Sequence, residues 1–135
     1  MPETLSFSKI FLALERAIGI AQQRHTLIAS NISNLDTSDY KAKDIDFKTA
    51  LAQALKSGHE TNLVRTNPGH IDLGMNSAHR AEPFVEKGEW NGFNWVDIDK
   101  EMAKLIENNL MYRVASETLL RKIAILKEVI RGGGR

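Results

Sequence analysis

The sequence predicts a mainly α fold. Long N- and C-terminal helices form an antiparallel coiled-coil-like pair, with a short helix and an irregular, β-containing excursion between them. Three observations predict it. Apolar stripes at the two ends of the 135 residues alternate spacings of four and three. A crowd of turn-forming side chains follows the first stripe. Between Glu60 and Trp95 the helical period vanishes among glycine and proline punctuation.

The first stripe is Phe7, Phe11, Leu14, Ile18, Ala21, His25, Ile28 and Ile32. The second is Ile98, Met102, Leu105, Asn109, Tyr112, Ser116, Leu119, Ile123, Leu126 and Ile130. Fifteen of these eighteen positions are apolar, in a chain that is 42% hydrophobic. Chance would place about eight there, so the pattern reports a packing face. A mean spacing of 3.5 keeps one narrow face turned to a partner helix, as in a left-handed coiled coil. Asn109 and Ser116 are the polar breaks in the second stripe. Buried, they would fix register and partner number; exposed, they would mark asymmetric packing.

The whole chain reads as one domain, 1–135. Pro2 and Ser6 suit the start of a first helix over 7–33, about 40 Å long. Gly19 weakens it by up to about 1 kcal/mol relative to Ala, and close helix packing is its simplest reason. The helix fails after Ile32, where Asn31, Ser33, Asn34, Asp36, Thr37, Ser38 and Asp39 compete for its backbone hydrogen bonds. The central region, 34–96, holds this turn, a short helix and the excursion. Asp44 or Asp46 caps the short helix. Phe47, Leu51, Ala54 and Leu55 form its apolar face, and Gly58 ends it. Asn62 to Thr66 and Phe84 to Glu86 could be strands, and Asn91-Gly92 is a hairpin-like dipeptide. Asp97 or Asp99 starts the last helix, 97–131, and Gly132 to Gly134 stop it.

Composition excludes several functions. Eighteen basic and seventeen acidic residues give no global charge for nucleic acid or an anionic membrane. Cysteine is absent, so disulfides and thiolate metal sites are excluded. No apolar run reaches membrane-spanning length, and charged residues interrupt the N-terminus where a cleaved signal would need a long apolar core.

Motifs for chemistry are missing. His25, His59, His70 and His79 lack metal-ligand spacing. Asp97, Asp99 and Glu101 alternate like a calcium loop but lack its glycine and its bidentate Glu. There is no phosphate-binding glycine loop and no nucleophile elbow. Asn31-Ile32-Ser33 matches a glycosylation pattern, discounted without a secretory signal. The five bases from Arg121 to Arg135 compensate a helix dipole. No enzyme, cofactor, metal, nucleic acid or small-molecule substrate is expected.

The end of the first helix reads Ser30-Asn31-Ile32-Ser33-Asn34-Leu35-Asp36-Thr37-Ser38-Asp39-Tyr40, continuing through Lys41-Ala42-Lys43-Asp44-Ile45-Asp46-Phe47. This resembles the N-terminal signature of the bacterial flagellar rod and hook axial proteins, an ANIAN-type helix end followed by a TPGY-type turn. Its continuation is most similar to a proximal rod protein of that family. Arg65 to Ile71 resembles the rod proteins' central segment. Asn94 to Met102 resembles the start of their last helix, and Asn108-Asn109-Leu110-Met111-Tyr112 its continuation. The motif residues on the N-terminal side are Asn31, Asn34, Asp36, Thr37, Tyr40, Asp44, Asp46 and Phe47. One departure is clear: Ser38 and Asp39 replace the turn's Pro and Gly. Asp tolerates left-handed backbone better than most residues, though less well than Gly. Trp90, Phe93 and Trp95 make the segment before the last helix unusually aromatic, suggesting a packing anchor.

The resemblance implies a structural rod subunit that transmits torque within a helical assembly around an export channel. Its partners would be other rod subunits, the adaptor joining rod to membrane ring, and the flagellar type III export apparatus. Its place would be the flagellar basal body, on the periplasmic side of the inner membrane, reached without a cleaved signal. Apolar positions outside the stripes, such as Ile10, Ile106, Leu110, Val114 and Ile125, would face neighbours. The other reading is a cytoplasmic helical adaptor or chaperone that binds partner helices.

Overall fold

The computed structural model describes residues 7–56 and 81–132. Helix α1 (Phe7–Ser33) leads through a turn to strand β1 (Lys43–Asp44) and helix α2 (Phe47–Lys56). Strand β2 (Phe84–Val85) then precedes helix α3 (Ile98–Gly132). Several expectations fall outside the described residues, among them the Pro2 and Ser6 helix start, the Asn62 to Thr66 strand, the Arg65 to Ile71 family segment, the Gly58 stop and the stop at Gly133 and Gly134.

Helices α1 and α3 run antiparallel. Asn31 meets Glu101, Ala21 meets Asn108, and Phe7 lies beside Lys122. The helices are 27 and 35 residues long, or about 40 and 50 Å at 1.5 Å per residue. Asp97 caps α3, its Oδ1 accepting the Asp99 and Lys100 amides at 3.0 and 3.3 Å. Those amides hold the Asp97 carboxyl below its ordinary value. Asp46 caps α2 by accepting from the Thr49 hydroxyl and amide, with the same effect on its carboxyl. Asp44, the other capping candidate, has a different task described below.

The intrachain seam differs from the apolar stripes. On α1 it follows Ile10, Leu14, Ala17, Ala21, Arg24, Ile28 and Asn31, all buried or half-buried. On α3 it follows Glu101, Lys104, Asn108, Met111, Ala115, Thr118 and Lys122. Both runs keep the alternation of three and four, but α3 is turned by one residue, about 100°. The reason is chemical. Glu101 and Asn108 are each 1% exposed because α1 offers them hydrogen-bond partners. Burial of a paired polar side chain then outweighs the apolar period.

The apolar core is small. Ile20, Ile45 and Ala54 are buried, with Leu27, Phe47, Ala50, Leu51 and Ala81 packed on them. Thus α2 buries the predicted face, except that Leu55 points outward. Among the described residues, no atom lies within 4 Å of a Cβ added at Gly19, so packing against them does not require glycine there.

Strands β1 and β2 pair antiparallel, Lys43 opposite Val85 and Asp44 opposite Phe84. The Trp95 amide donates to Tyr40 O at 3.0 Å, which ties the start of α3 to the turn. Trp95 is the aromatic anchor: half-buried, 4.5 Å from the Trp90 ring, with Lys41 Nζ 5.1 Å from its own. Gly88 must be glycine, because a Cβ would meet Trp95 O at 2.8 Å. Trp90 and Phe93 stay about half exposed. Asn91-Gly92 forms a local turn rather than a hairpin between strands, with Gly92 at φ 96°.

Candidate functional site

Two features stand out on this frame: a buried polar knot at the helix-end turn and an apolar surface along α3.

Asn31 is the knot's hub and is fully buried. Its Nδ2 donates to Lys43 O at 2.8 Å and to Glu101 Oε2 at 2.9 Å. Its Oδ1 accepts the Lys43 amide at 3.0 Å and the Tyr40 hydroxyl at 3.3 Å. One amide side chain therefore joins α1, the turn, β1 and α3. Glu101 passes the connection on: Lys104 Nζ lies 2.7 Å from Glu101 Oε1 and 2.6 Å from Glu86 Oε2. Burial pulls the Lys104 ammonium down, but hydrogen bonds to Glu101 and Glu86 with their charges outweigh it, and its pKa rises.

Arg24 and Asp44 form a second, buried pair. Nε to Oδ1 is 2.8 Å and Nη2 to Oδ2 is 3.0 Å, a two-pronged fork. Glu107 adds a longer contact to Nη1 at 3.3 Å. The Asp44 hydrogen bond leads in raising the Arg24 pKa above its ordinary value. Asp44 Oδ1 also takes the Ile45 amide at 2.7 Å.

The other motif residues divide. Asn34 Nδ2 donates to Ser30 O at 2.8 Å, and Thr37 Oγ1 donates to Asn34 Oδ1 at 2.9 Å, closing the helix end. Phe47 packs on the core. Asp36 is exposed. Asp39 takes the left-handed conformation at φ 57°, where the resemblance expects Gly. Asn94, buried completely, reaches from the loop before α3 to Leu35 O at 2.6 Å and Thr37 O at 3.3 Å.

Arg24, Asn94, Glu101 and Lys104 were not singled out as site residues by the sequence. Their signal was present: Arg24 and Glu101 continue a three-and-four alternation once polar residues are admitted to it.

The stripe residues also divide. Ala21 and Ile28 are buried, while Leu14, Ile18, Ile32, Leu105, Ser116, Leu119 and Ile123 are half-buried. Phe7, Phe11, His25, Ile98, Met102, Asn109, Tyr112, Leu126 and Ile130 are exposed within this chain. The buried asparagine of α3 is therefore Asn108, whose Nδ2 donates to Ala21 O at 2.8 Å, and not Asn109. Ser116 lies beside the buried Ala115. His25 is exposed, and the other histidines fall outside the described residues.

Much of the apolar surface of α3 has no cover among the described residues. Met102, Ile106, Leu110 and Val114 recur every fourth residue and are 44%, 67%, 63% and 57% exposed. Leu120, Ile125, Leu126, Val129 and Ile130 extend the apolar surface toward the C-terminus. A contiguous run of this kind is characteristic of a protein interface. None of the described helices is long and apolar enough to cross a membrane.

No family model matches the chain. Comparison with known proteins nevertheless finds relatives along nearly its whole length. It is 33% identical to the flagellar basal body rod protein FlgB of Bacillus subtilis, over 94% of this chain and 97% of that protein. It is 29% identical to FlgB of Escherichia coli, over 88% and 91% of the two chains. It is 34% identical to FlgB of Cereibacter sphaeroides, over 87% and 90%. With identity above 30% across most of both chains and a knot built on the turn motif itself, the chain belongs to the family of flagellar basal body rod proteins FlgB.

Proposed function

We propose that the chain is a torque-transmitting structural subunit of the flagellar basal-body rod, held in a helical assembly through the outer face of α3. The observation that carries this reading is the run of Met102, Ile106, Leu110 and Val114 on the side of α3 away from α1. Open helical assembly uses heterologous contacts, in which one patch meets a different patch on the next subunit. A rod also has to resist shear, and the buried knot suits that demand. It ties four elements with directional bonds, which hold geometry better than apolar contacts do.

The finer reading follows the family resemblance. The subunit sits in the proximal rod, beside other rod subunits and the adaptor to the membrane ring. It reaches the periplasmic side of the inner membrane through the flagellar type III export apparatus, without a cleaved signal. It acts by packing and not by catalysis. The cytoplasmic adaptor or chaperone reading gains no support from the relatives, which are named as rod proteins.

Fractionation of motile cells tests the proposal. An epitope-tagged chain should co-purify with detergent-extracted basal bodies. Recovery only in the soluble cytoplasmic fraction would sink it.

A further inference from the structure

We propose that Asn91-Gly92 is a chemical modification site closed by folding: its deamidation proceeds in the unfolded chain and is suppressed in the folded one. The reaction is intramolecular. The Gly92 backbone nitrogen, after losing its proton, attacks Asn91 Cγ. A C–N bond forms, the Cγ–Nδ2 bond breaks, and Nδ2 leaves as ammonia. Water then opens the five-membered imide at either carbonyl, leaving aspartate or isoaspartate with one added negative charge. Gly92 has no side chain to shield its nitrogen, and no atom of the described residues lies within 4 Å of an added Cβ.

Folding takes the Asn91 amide out of this reaction. Oδ1 accepts the Phe93 amide at 2.9 Å and the Asn94 amide at 2.8 Å. Nδ2 donates to Asn94 Oδ1 at 2.9 Å and Val96 O at 3.1 Å. The two donors on Oδ1 polarise the carbonyl, which alone would help attack. Cyclisation, however, needs the amide to rotate and its nitrogen to depart, and four hydrogen bonds oppose both. Gly92 is meanwhile held at φ 96°.

The product does not fit the site it came from. An aspartate at 91 would place a carboxylate oxygen where Nδ2 now donates, facing the acceptors Asn94 Oδ1 and Val96 O. Asn94 is the residue that reaches Leu35 O and Thr37 O. The damage therefore passes from an exposed loop to the turn at the end of α1. A chain left unfolded too long before assembly would be marked as unable to rebuild this corner.

The test follows the peptide spanning Asn91-Gly92 by mass spectrometry, with the full chain held in mildly alkaline buffer with and without urea. Deamidation at Asn91 should be at least about tenfold slower without urea, because local opening must come first. In urea, Gly92→Ala should slow it. Equal or faster reaction without urea, or no effect of Gly92→Ala in urea, would overturn the proposal.

Discussion

Asn31 Nδ2 and Glu101 Oε2 meet at 2.9 Å, at a point where neither side chain reaches water. The bond joins the end of α1 to the start of α3 across 70 residues of sequence. A buried carboxylate is costly unless it is paired, and Glu101 is paired twice, to Asn31 and to Lys104. Removing it leaves each partner one bond short, since Asn31 keeps Lys43 O and Lys104 keeps Glu86. Glu101→Ala should lower the unfolding free energy by about 1–3 kcal/mol, the usual cost when buried polar groups lose a partner. Glu101→Gln should cost less, because it keeps an acceptor for Asn31. Urea titration followed by circular dichroism reads both; equal losses would mean that the lost charge dominates.

Alkaline pH should loosen the same corner. The Lys104 pKa is raised in the folded chain above its ordinary 10.5. Its contribution to stability is therefore fully present below pH 10.5 and is lost as pH rises through the folded value. Thermal melts of the chain and of Lys104→Met across this range check it. The difference in melting temperature between the two should shrink as pH climbs; a constant difference would contradict it.

Asp39 carries a backbone cost that a glycine there would avoid. A non-glycine residue at φ 57° is disfavoured by about 1 kcal/mol, somewhat less for Asp than for most. Asp39→Gly should therefore hold or slightly raise the urea midpoint, since glycine's added freedom when unfolded offsets part of the relief. Asp39→Val should lower it clearly. Comparing the two midpoints isolates the backbone term, because the Asp39 side chain is exposed.

Gly19 poses the opposite case. It lies within α1, and a methyl group there would meet no atom of the described residues. Gly19→Ala should stabilise the free chain by about 0.5–1 kcal/mol. If the same variant also impairs motility, a neighbouring subunit approaches α1 closely at that point.

The sequence shows these elements unevenly. The C-terminal end of helix α1 was legible, because its apolar period stops where Asn31, Asn34 and Asp36 begin to compete for the backbone. The caps were legible too, although Asp44 and Asp46 were indistinguishable until Arg24 claimed the first. The intrachain seam was misread on α3, since the apolar period scores Met102 and ignores Glu101. Only a partner such as Asn31 makes Glu101 buriable, and that pairing spans most of the chain. Strand β2 was legible as Phe84 to Glu86 from its residue types, one residue too long. Its partner β1 was hidden, because two residues are too few to show alternation. Asn94 was legible as part of a family segment but not as a bridge, since nothing local points it at Leu35.

The central claim concerns the exposed face of α3. Met102, Ile106, Leu110 and Val114 lie on the exposed face of α3, and the proposal gives that face to neighbouring rod subunits. The double variant Ile106→Asp with Leu110→Asp tests this directly, because both side chains are already more than 60% exposed in the single chain. The purified variant should keep the helicity and urea midpoint of the parent. In cells it should be absent from isolated basal bodies, and the cells should be non-motile. Normal incorporation with normal motility would contradict the account.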